Sequence, residues 1–321
     1  MIHPLPPGTR DVLPDELAEL RALGAGLRAT WAEAGYGEVW TPLLEYEDVL
    51  RRGDERAAGT AFRLFDEQGQ VLALRSDVTI PIARLVSTRF PADSGPIRLS
   101  YSMHVHRATR AGSGQPREFL QGGLELIGVP APDGDAEVVA LTLRGLEAAG
   151  LRRHRVGLGD GSLYRTLLGA LEVSEGEHDG LLERLGRRDL VGLEAHLEGL
   201  ALSPAARRTL VEVPGLRGGP ELLDRVTGPA GEALDGLRAC VEGLRERGVA
   251  ERVILDLGLV RDLSYYTGMV FEVYDPAVGF ALGGGGRYDE LLGRFGAARP
   301  ACGVVLDMQR VHAAQAHEER G

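Results

Sequence analysis

The sequence predicts an α+β fold, an antiparallel sheet flanked by helices and interrupted by a helical insertion. Three observations carry that expectation. The first half alternates apolar hairpins with helical stretches, an order that suits an antiparallel sheet better than a doubly wound parallel one. Glu172–Gly248 shows short helical patterns broken by Gly and Pro, and no strand pattern. Strand-like runs then return on both sides of Ala281–Leu292, ALGGGGRYDELL. Residues 1–160 and 251–321 are therefore expected to form two parts of one sheet domain, with residues 161–250 as a mainly helical insertion.

Taken in order, Pro4–Asp11 is an extended lead-in to a helix over Asp15–Ala34, with Leu17, Leu20, Leu23 and Leu27 on one face. Gly35 stops it, and Gly37–Tyr46 (GEVWTPLLEY) reads as one strand broken at Pro42. A long helix beside an exposed strand suits a dimer surface and, equally, a plain core element. Phe62–Asp66 and Val71–Leu74 form a hairpin around Gly69, followed by a short helix, Ile80–Thr88. Pro96–Arg107 and Arg117–Gly128 read as antiparallel partners joined by a Gly- and Ser-rich loop carrying Arg110. Ala136–Ala149 is helical and Val156–Leu158 a strand. The glycines that follow are not a dinucleotide fingerprint: after Gly157 and Gly159 the third glycine is Ser162, and a turn capped by Asp160 or Ser162 accounts for them better. Val253–Leu255 is a strand, and Tyr266, Met269 and Phe271 are spaced for an extended segment. The run Gly283–Gly286 lets the backbone approach something closely, and between two strands it suits the floor of a small-molecule site. A helix over Glu290–Phe295 and a last strand over Ala301–Met308 complete the pattern, ending at Arg310.

With 321 residues, 44% of them hydrophobic, the chain can bury a large core. No run approaches the ~18 apolar residues of a membrane-spanning helix. Met1–Arg10 lacks the basic-then-apolar order of a signal peptide, and Cys240 and Cys302 form no CxxC, so a cytoplasmic setting fits. The net charge of −11 argues against broad nucleic-acid binding, and Leu171–Ala250, with 10 basic and 15 acidic residues (a balance of −5), is ill suited to grip RNA. Lysine and asparagine are absent, so all 36 basic residues are arginine. That removes Schiff-base and P-loop lysines and N-glycosylation acceptors. Any anion site must rest on the planar fork of arginine.

Few groups suggest chemistry. His104 and His106 point to one side of a strand, but no third ligand lies near in sequence and no metal is expected. No Gly-x-Ser-x-Gly elbow occurs, and neither cysteine has an activating pattern. Asp77, Gln121, Glu125, Arg261 and Tyr266 all fall in or beside strands, and Gln121, Gly123 and Glu125 alternate onto one face. Carboxylates beside a carboxamide suit an ammonium group and arginine suits a carboxylate, so the set fits a zwitterionic amino acid. Ion pairs satisfied on a solvated sheet face would read the same way.

The segments PPGTRDVLPDE, GYGEVWTPLLEY, LRSDVT, REFLQGGLELIG, LVRDLSYYTGMVFE, GGRYDELLGRFG and RPACGVVLDMQR resemble, in order and spacing over about residues 4–312, the catalytic core of histidyl-tRNA synthetases, a class II aminoacyl-tRNA synthetase fold. The resemblance implies that Gly37–Tyr46 is the dimer-forming first motif, that Arg107 with REFLQGG is the second, and that Arg310 is the arginine of the third. It implies a histidine pocket of Asp77, Thr79, Gln121, Glu125, Arg261, Tyr266 and Tyr288, with Asp77 standing where glutamate is usual. Arg107 and Arg310 would be remnants of a nucleotide site.

The departures from that pattern point to a relative of the synthetases. No anticodon-binding domain is expected after Arg310. Thr109 replaces an acidic residue, Asp307 and Gln309 replace glycine and glutamate, Ser264 replaces an aspartate, and the loop GSGQP lacks basic residues. An added carboxylate at Asp307 disfavours a nucleotide's phosphates. This combination resembles the regulatory subunits of ATP phosphoribosyltransferase. The resemblance implies a non-catalytic chain, without cofactor, that partners a short catalytic subunit joining ATP to phosphoribosyl pyrophosphate at the first step of histidine synthesis. It further implies a homodimer within a hetero-oligomer, with histidine as effector and no role for tRNA. The alternatives are a compact histidyl-tRNA synthetase core and an amino-acid-activating paralogue.

Overall fold

Leu20, Leu23, Leu27 and Trp31 recur at helical spacing and are all buried, so the first helix, Pro14–Glu33, is held by one apolar stripe. Proline at its start needs no donor, and Gly35, at φ +85°, ends it in the left-handed region. The computed structural model describes residues 5–109, 115–259 and 265–320.

Pro42 does more than break a strand. Gly37–Glu38 (β1) lies parallel to Ile97–His106 (β5) at the edge of the main sheet, while Leu44–Tyr46 (β2) joins a separate small sheet. The single strand expected over Gly37–Tyr46 is thus two strands in two sheets, because the ring removes the N–H that a continuous ladder needs. The small sheet is antiparallel, with Arg63–Phe65 (β3) and Val71–Leu74 (β4) in the order β2-β4-β3.

The main sheet contains, besides β1 and β5, Glu118–Ile127 (β6), Arg155–Asp160 (β7), Arg217–Gly218 (β8) and Val253–Asp256 (β9). Met269–Tyr274 (β10), Gly283–Arg287 (β11) and Ala301–Asp307 (β12) complete it. Their order is β1-β5-β6-β12-β11-β10-β7-β9-β8, antiparallel except for the pairs β1–β5 and β7–β9. The fold is the expected α+β arrangement, an essentially antiparallel sheet with helices on both faces.

Two details depart from expectation. The helix expected over Glu290–Phe295 is only a 3-10 turn, Leu292–Arg294, since Gly293 and Gly296 deny it length. The stretch between Glu172 and Gly248, read as strand-free, contributes β8, whose two residues pair with Leu255 and Asp256. So short a strand leaves no alternating pattern to read.

Each face of the sheet has its own core. Leu124 and Leu126 of β6 pack with Leu27 and Trp31, the helix Asp133–Ala148 and the C-terminal helix Met308–Glu318. Leu181, Leu193 and Leu210 from the helical segment belong to that same cluster, so the segment shares its apolar interior with the sheet. On the other face Tyr101, Met103 and Ile127 pack with the helix Thr79–Arg89, Tyr265 and Tyr288. Arg287 at the end of β11 and Asp135, both buried, pair at 2.7 Å and tie the central strand to the helix Asp133–Ala148.

Candidate functional site

The register of the sheet builds the site. On one face Tyr101 of β5 lies beside Gly123, Gly123 beside Val305, Val305 beside Gly284 and Gly284 beside Glu272. The next row runs Leu99, Glu125, Gly303, Gly286, Val270. Glycines in both rows make room for side chains on the same face: Tyr101 packs against Gly123, Glu125 against Gly303 and Tyr266 against Gly286, where a Cβ would stand 2.8 Å from the ring. Beside these side chains a trough remains over Val305, Gly284 and Glu272. The glycine run is a central strand and not a loop. Gly283 and Gly284 form part of the cavity floor.

That cavity holds about 350 Å³, and Asp77, Gln121, Tyr266, Arg107 and Arg310 all line it. Asp307, expected beside a nucleotide's phosphates, lines it as well, with Tyr265 next to Tyr266; Phe119 and Glu272 also line it and were not among the site residues expected from sequence. Glu272 is two residues from Val270 on a strand whose alternation was visible, so its face could have been read. Tyr101 escaped for a different reason: only the pairing of β5 with β6 sets its ring over Gly123.

Thr79, Glu125 and Tyr288 form a buried cluster next to the trough. Thr79 Oγ1 donates to Glu125 Oε1 at 2.7 Å, and the Tyr288 hydroxyl donates to Glu125 Oε2. Burial raises the Glu125 carboxyl to about 8 in spite of both hydrogen bonds, so it is neutral at pH 7. Asp77 is also buried, its pKa raised by desolvation, and its Oδ1 accepts from the Ile80 N–H at 2.8 Å. The short aspartate arm thus reaches back to the start of its own helix. Gln121 Oε1 is buried with no hydrogen-bond partner among the described residues. A buried acceptor left without a donor is costly unless a ligand or water supplies one. Tyr266, Tyr265 and Tyr288 form an aromatic wall, with ring centroids 5.0 and 5.8 Å apart. Arg261, Arg110 and Ser264 lie outside the described residues.

The two arginines that line the cavity are engaged by the chain's own groups. Arg107 Nε donates to the Ser76 carbonyl at 2.9 Å, and its guanidinium lies 5.0 Å from the centre of the Phe119 ring. Arg310 donates to the Ala281 carbonyl at 2.9 Å, approaches Asp307 Oδ2 at 3.4 Å and sits 5.5 Å from the Phe280 ring centre. Asp307 also accepts from the N–H groups of Gln309 and Arg310, each at 3.1 Å. Its carboxylate occupies the start of the C-terminal helix, where free N–H groups otherwise attract an anion. Gln309 Oε1 accepts from Leu120 N at 3.0 Å and stitches that helix to β6. Elsewhere, His106 faces Glu118 at 3.3 Å, and among the described residues no group of three His, Cys, Asp or Glu could hold a metal.

Comparison with known proteins agrees with this architecture. The pattern of the histidyl-tRNA synthetase family matches residues 8–311. The ATP phosphoribosyltransferase regulatory subunit of Desulforamulus reducens is 41% identical over 315 residues, 96% of this chain and 78% of that protein. The regulatory subunit of Rubrobacter xylanophilus is 41% identical over 314 residues, 95% of this chain and 75% of that one. A crystal structure described as an ATP phosphoribosyltransferase regulatory subunit/histidyl-tRNA synthetase from Bacillus halodurans superposes with a TM-score of 0.90 at 34% identity, over 98% of this chain and 84% of that one. A histidine–tRNA ligase subunit from Alicyclobacillus acidocaldarius gives 0.81 at 32% identity, over 100% and 99%.

Fold and site together define a histidyl-tRNA synthetase-like class II protein. Within that class the chain belongs to the family of ATP phosphoribosyltransferase regulatory subunits.

Proposed function

We propose that this chain is a non-catalytic regulatory subunit that binds histidine in the trough and partners a short ATP phosphoribosyltransferase catalytic subunit. In that role it supports the first step of histidine biosynthesis and brings it under feedback control. One observation carries the reading: Gln121 Oε1 is buried in the cavity with no hydrogen-bond partner among the described residues, while Asp307 lines the same cavity beside Arg310. An amino acid can supply the missing donor, and a triphosphate meets a carboxylate.

Control by histidine requires that it bind one assembly state more tightly than the other, and the coupling is then reciprocal. Histidine that inhibits the complex must therefore bind with an affinity that depends on the catalytic chain. The exposed apolar surface around Trp40 and the small sheet β2-β4-β3 supports a homodimer within that complex.

A compact histidine-activating enzyme is the second reading, favoured by Arg107 and Arg310 at the cavity and by the ligase description of a neighbour at 32% identity. Fold alone does not separate the two. The deciding experiment is ATP–pyrophosphate exchange with histidine and the purified chain, beside reconstitution with a short catalytic subunit. No exchange, together with histidine-inhibitable transferase activity that appears only on mixing, is the expected result. Robust exchange by the chain alone establishes the second reading.

A further inference from the structure

A second cavity, of about 610 Å³, opens at the far edge of the main sheet, beyond the wall formed by Glu272 and Ala281. Three arginines converge on it from separate parts of the chain: Arg155 on β7, Arg188 between two helices and Arg217 on β8. Buried Asp256 organises two of them, accepting from Arg188 at 3.3 Å and from Arg217, with Gly258 N a third donor at 3.2 Å. Two guanidinium groups therefore share one carboxylate. Arg155 is held by the Glu251 carbonyl at 2.9 Å and has no carboxylate partner among the described residues. Arg188, at φ +55°, is the left-handed residue that ends the helix Glu175–Gly186, which fixes where its side chain leaves the backbone.

The rest of the lining has a different character. Ile254 and Phe280 are large apolar residues that remain 39% and 42% exposed, and Val278 adjoins them. The carboxyl groups of Glu272, which accepts from the Tyr274 hydroxyl, and Asp275 also line it, close to the arginines: Arg155 stands in register with Tyr274. The cavity thus offers guanidinium forks, an apolar wall and carboxyl acceptors. Ordinary surface ion pairs do not need an apolar wall.

We propose that this cavity is a second small-molecule site, for an organic anion, carboxylate or phosphate, attached to a planar ring that bears an N–H donor. The arginines grip the anion through their planar faces, the ring covers Ile254 and Phe280, and the ring donor meets a carboxyl group, Glu272 or Asp275. The site is separate from the histidine trough and does not depend on what that trough binds.

Calorimetric titration of the full chain tests this, with indole-3-acetate and adenosine 5′-monophosphate as ring-bearing probes and inorganic phosphate as the bare anion. One ring-bearing probe is expected to bind saturably below about 10 mM, and which one does so identifies the anion as carboxylate or phosphate ester. Arg217→Ala and Arg155→Ala should each weaken it by about tenfold or more, the loss expected for one charge-assisted contact. Arg217→Lys, which keeps the charge without the fork and preserves the partner for Asp256, should weaken it less. Histidine titrations should be unchanged in all three variants, which shows that they are folded and keeps this test apart from that of the trough. Absence of saturable binding by both ring-bearing probes, equal binding by the variants, competition by histidine, or phosphate binding as well as the ring-bearing probe would each overturn the assignment.

Discussion

At Glu125 burial wins over hydrogen bonding. Tyr288 and Thr79 both stabilise the ionised form, yet desolvation raises the carboxyl from about 4.5 to about 8. The folded chain therefore holds a proton there that the unfolded chain releases, and stability falls as pH rises from about 4.5 through about 8. Asp77, also raised by burial, adds to the fall with the same sign. Glu125→Gln mimics the neutral form, so its urea midpoint should fall less than that of the parent between those pH values. Parallel profiles would show that Glu125 does not carry this proton. Gln121 is the complementary case. Its buried oxygen has no partner among the described residues, so Gln121→Ala should cost little stability, within about 0.5 kcal/mol, but weaken histidine binding by about tenfold. Calorimetry with unchanged affinity would remove Gln121 from the site. The alternation of Gln121, Gly123 and Glu125 on one face was readable from the sequence. Which member would be left without a partner was not, since that depends on Tyr288 and Thr79, brought in from distant segments.

Among the elements, β11 shows most plainly why the sequence holds glycine where other strands hold branched residues. The strand lies between β10 and β12, and a Cβ on Gly285 would overlap the Gly303 carbonyl and stand 2.9 Å from the Phe271 ring. Gly285→Val should therefore destabilise the chain by at least about 2 kcal/mol, through overpacking against a backbone that cannot move without breaking two ladders. Gly279→Ala, in the turn before β11, meets nothing within 4 Å and should stay within about 0.5 kcal/mol. Chemical denaturation of both variants checks the contrast, and equal losses would mean that the glycines serve flexibility and not fit. Four glycines announced a special backbone in the sequence. Their place at the centre of the sheet was hidden, because β periodicity is written in side chains and this strand has almost none. Two residues were too few for β8 to show an alternation, and Gly293 and Gly296 shorten the helix expected at Glu290.

For the whole molecule, the small sheet poses the question of assembly. Tyr46, Leu72 and Leu64 stand side by side in register, and Tyr46, Leu64, Leu44 and Leu43 are exposed. Trp40, and Phe65 on the other face of β3, are 83% and 74% exposed, too open to support the fold of a single chain. An apolar surface of this extent marks an interaction site. Trp40→Glu combined with Phe65→Glu should leave thermal stability of the monomer nearly unchanged, yet reduce the mass measured by light scattering from dimer to monomer. A parent chain that is already monomeric, or a variant that stays dimeric, would remove this face as the homodimer contact. The helical segment has a different place in the molecule: its buried leucines join the main core, so it folds with the sheet and is not merely appended to it.

By itself the sequence determined the class of fold, the absence of lysine chemistry, the two cysteines without a motif and the residue types available to hold a zwitterion. Those follow from composition and from periodicities that each segment carries alone. Only the tertiary structure decided that burial raises the Glu125 carboxyl, that Arg107 and Arg310 lie beside Phe119, Phe280 and Asp307, and that four glycines are a central strand. Each of these depends on desolvation or on contacts between residues far apart in the chain, and neither quantity exists until the backbone has closed around them.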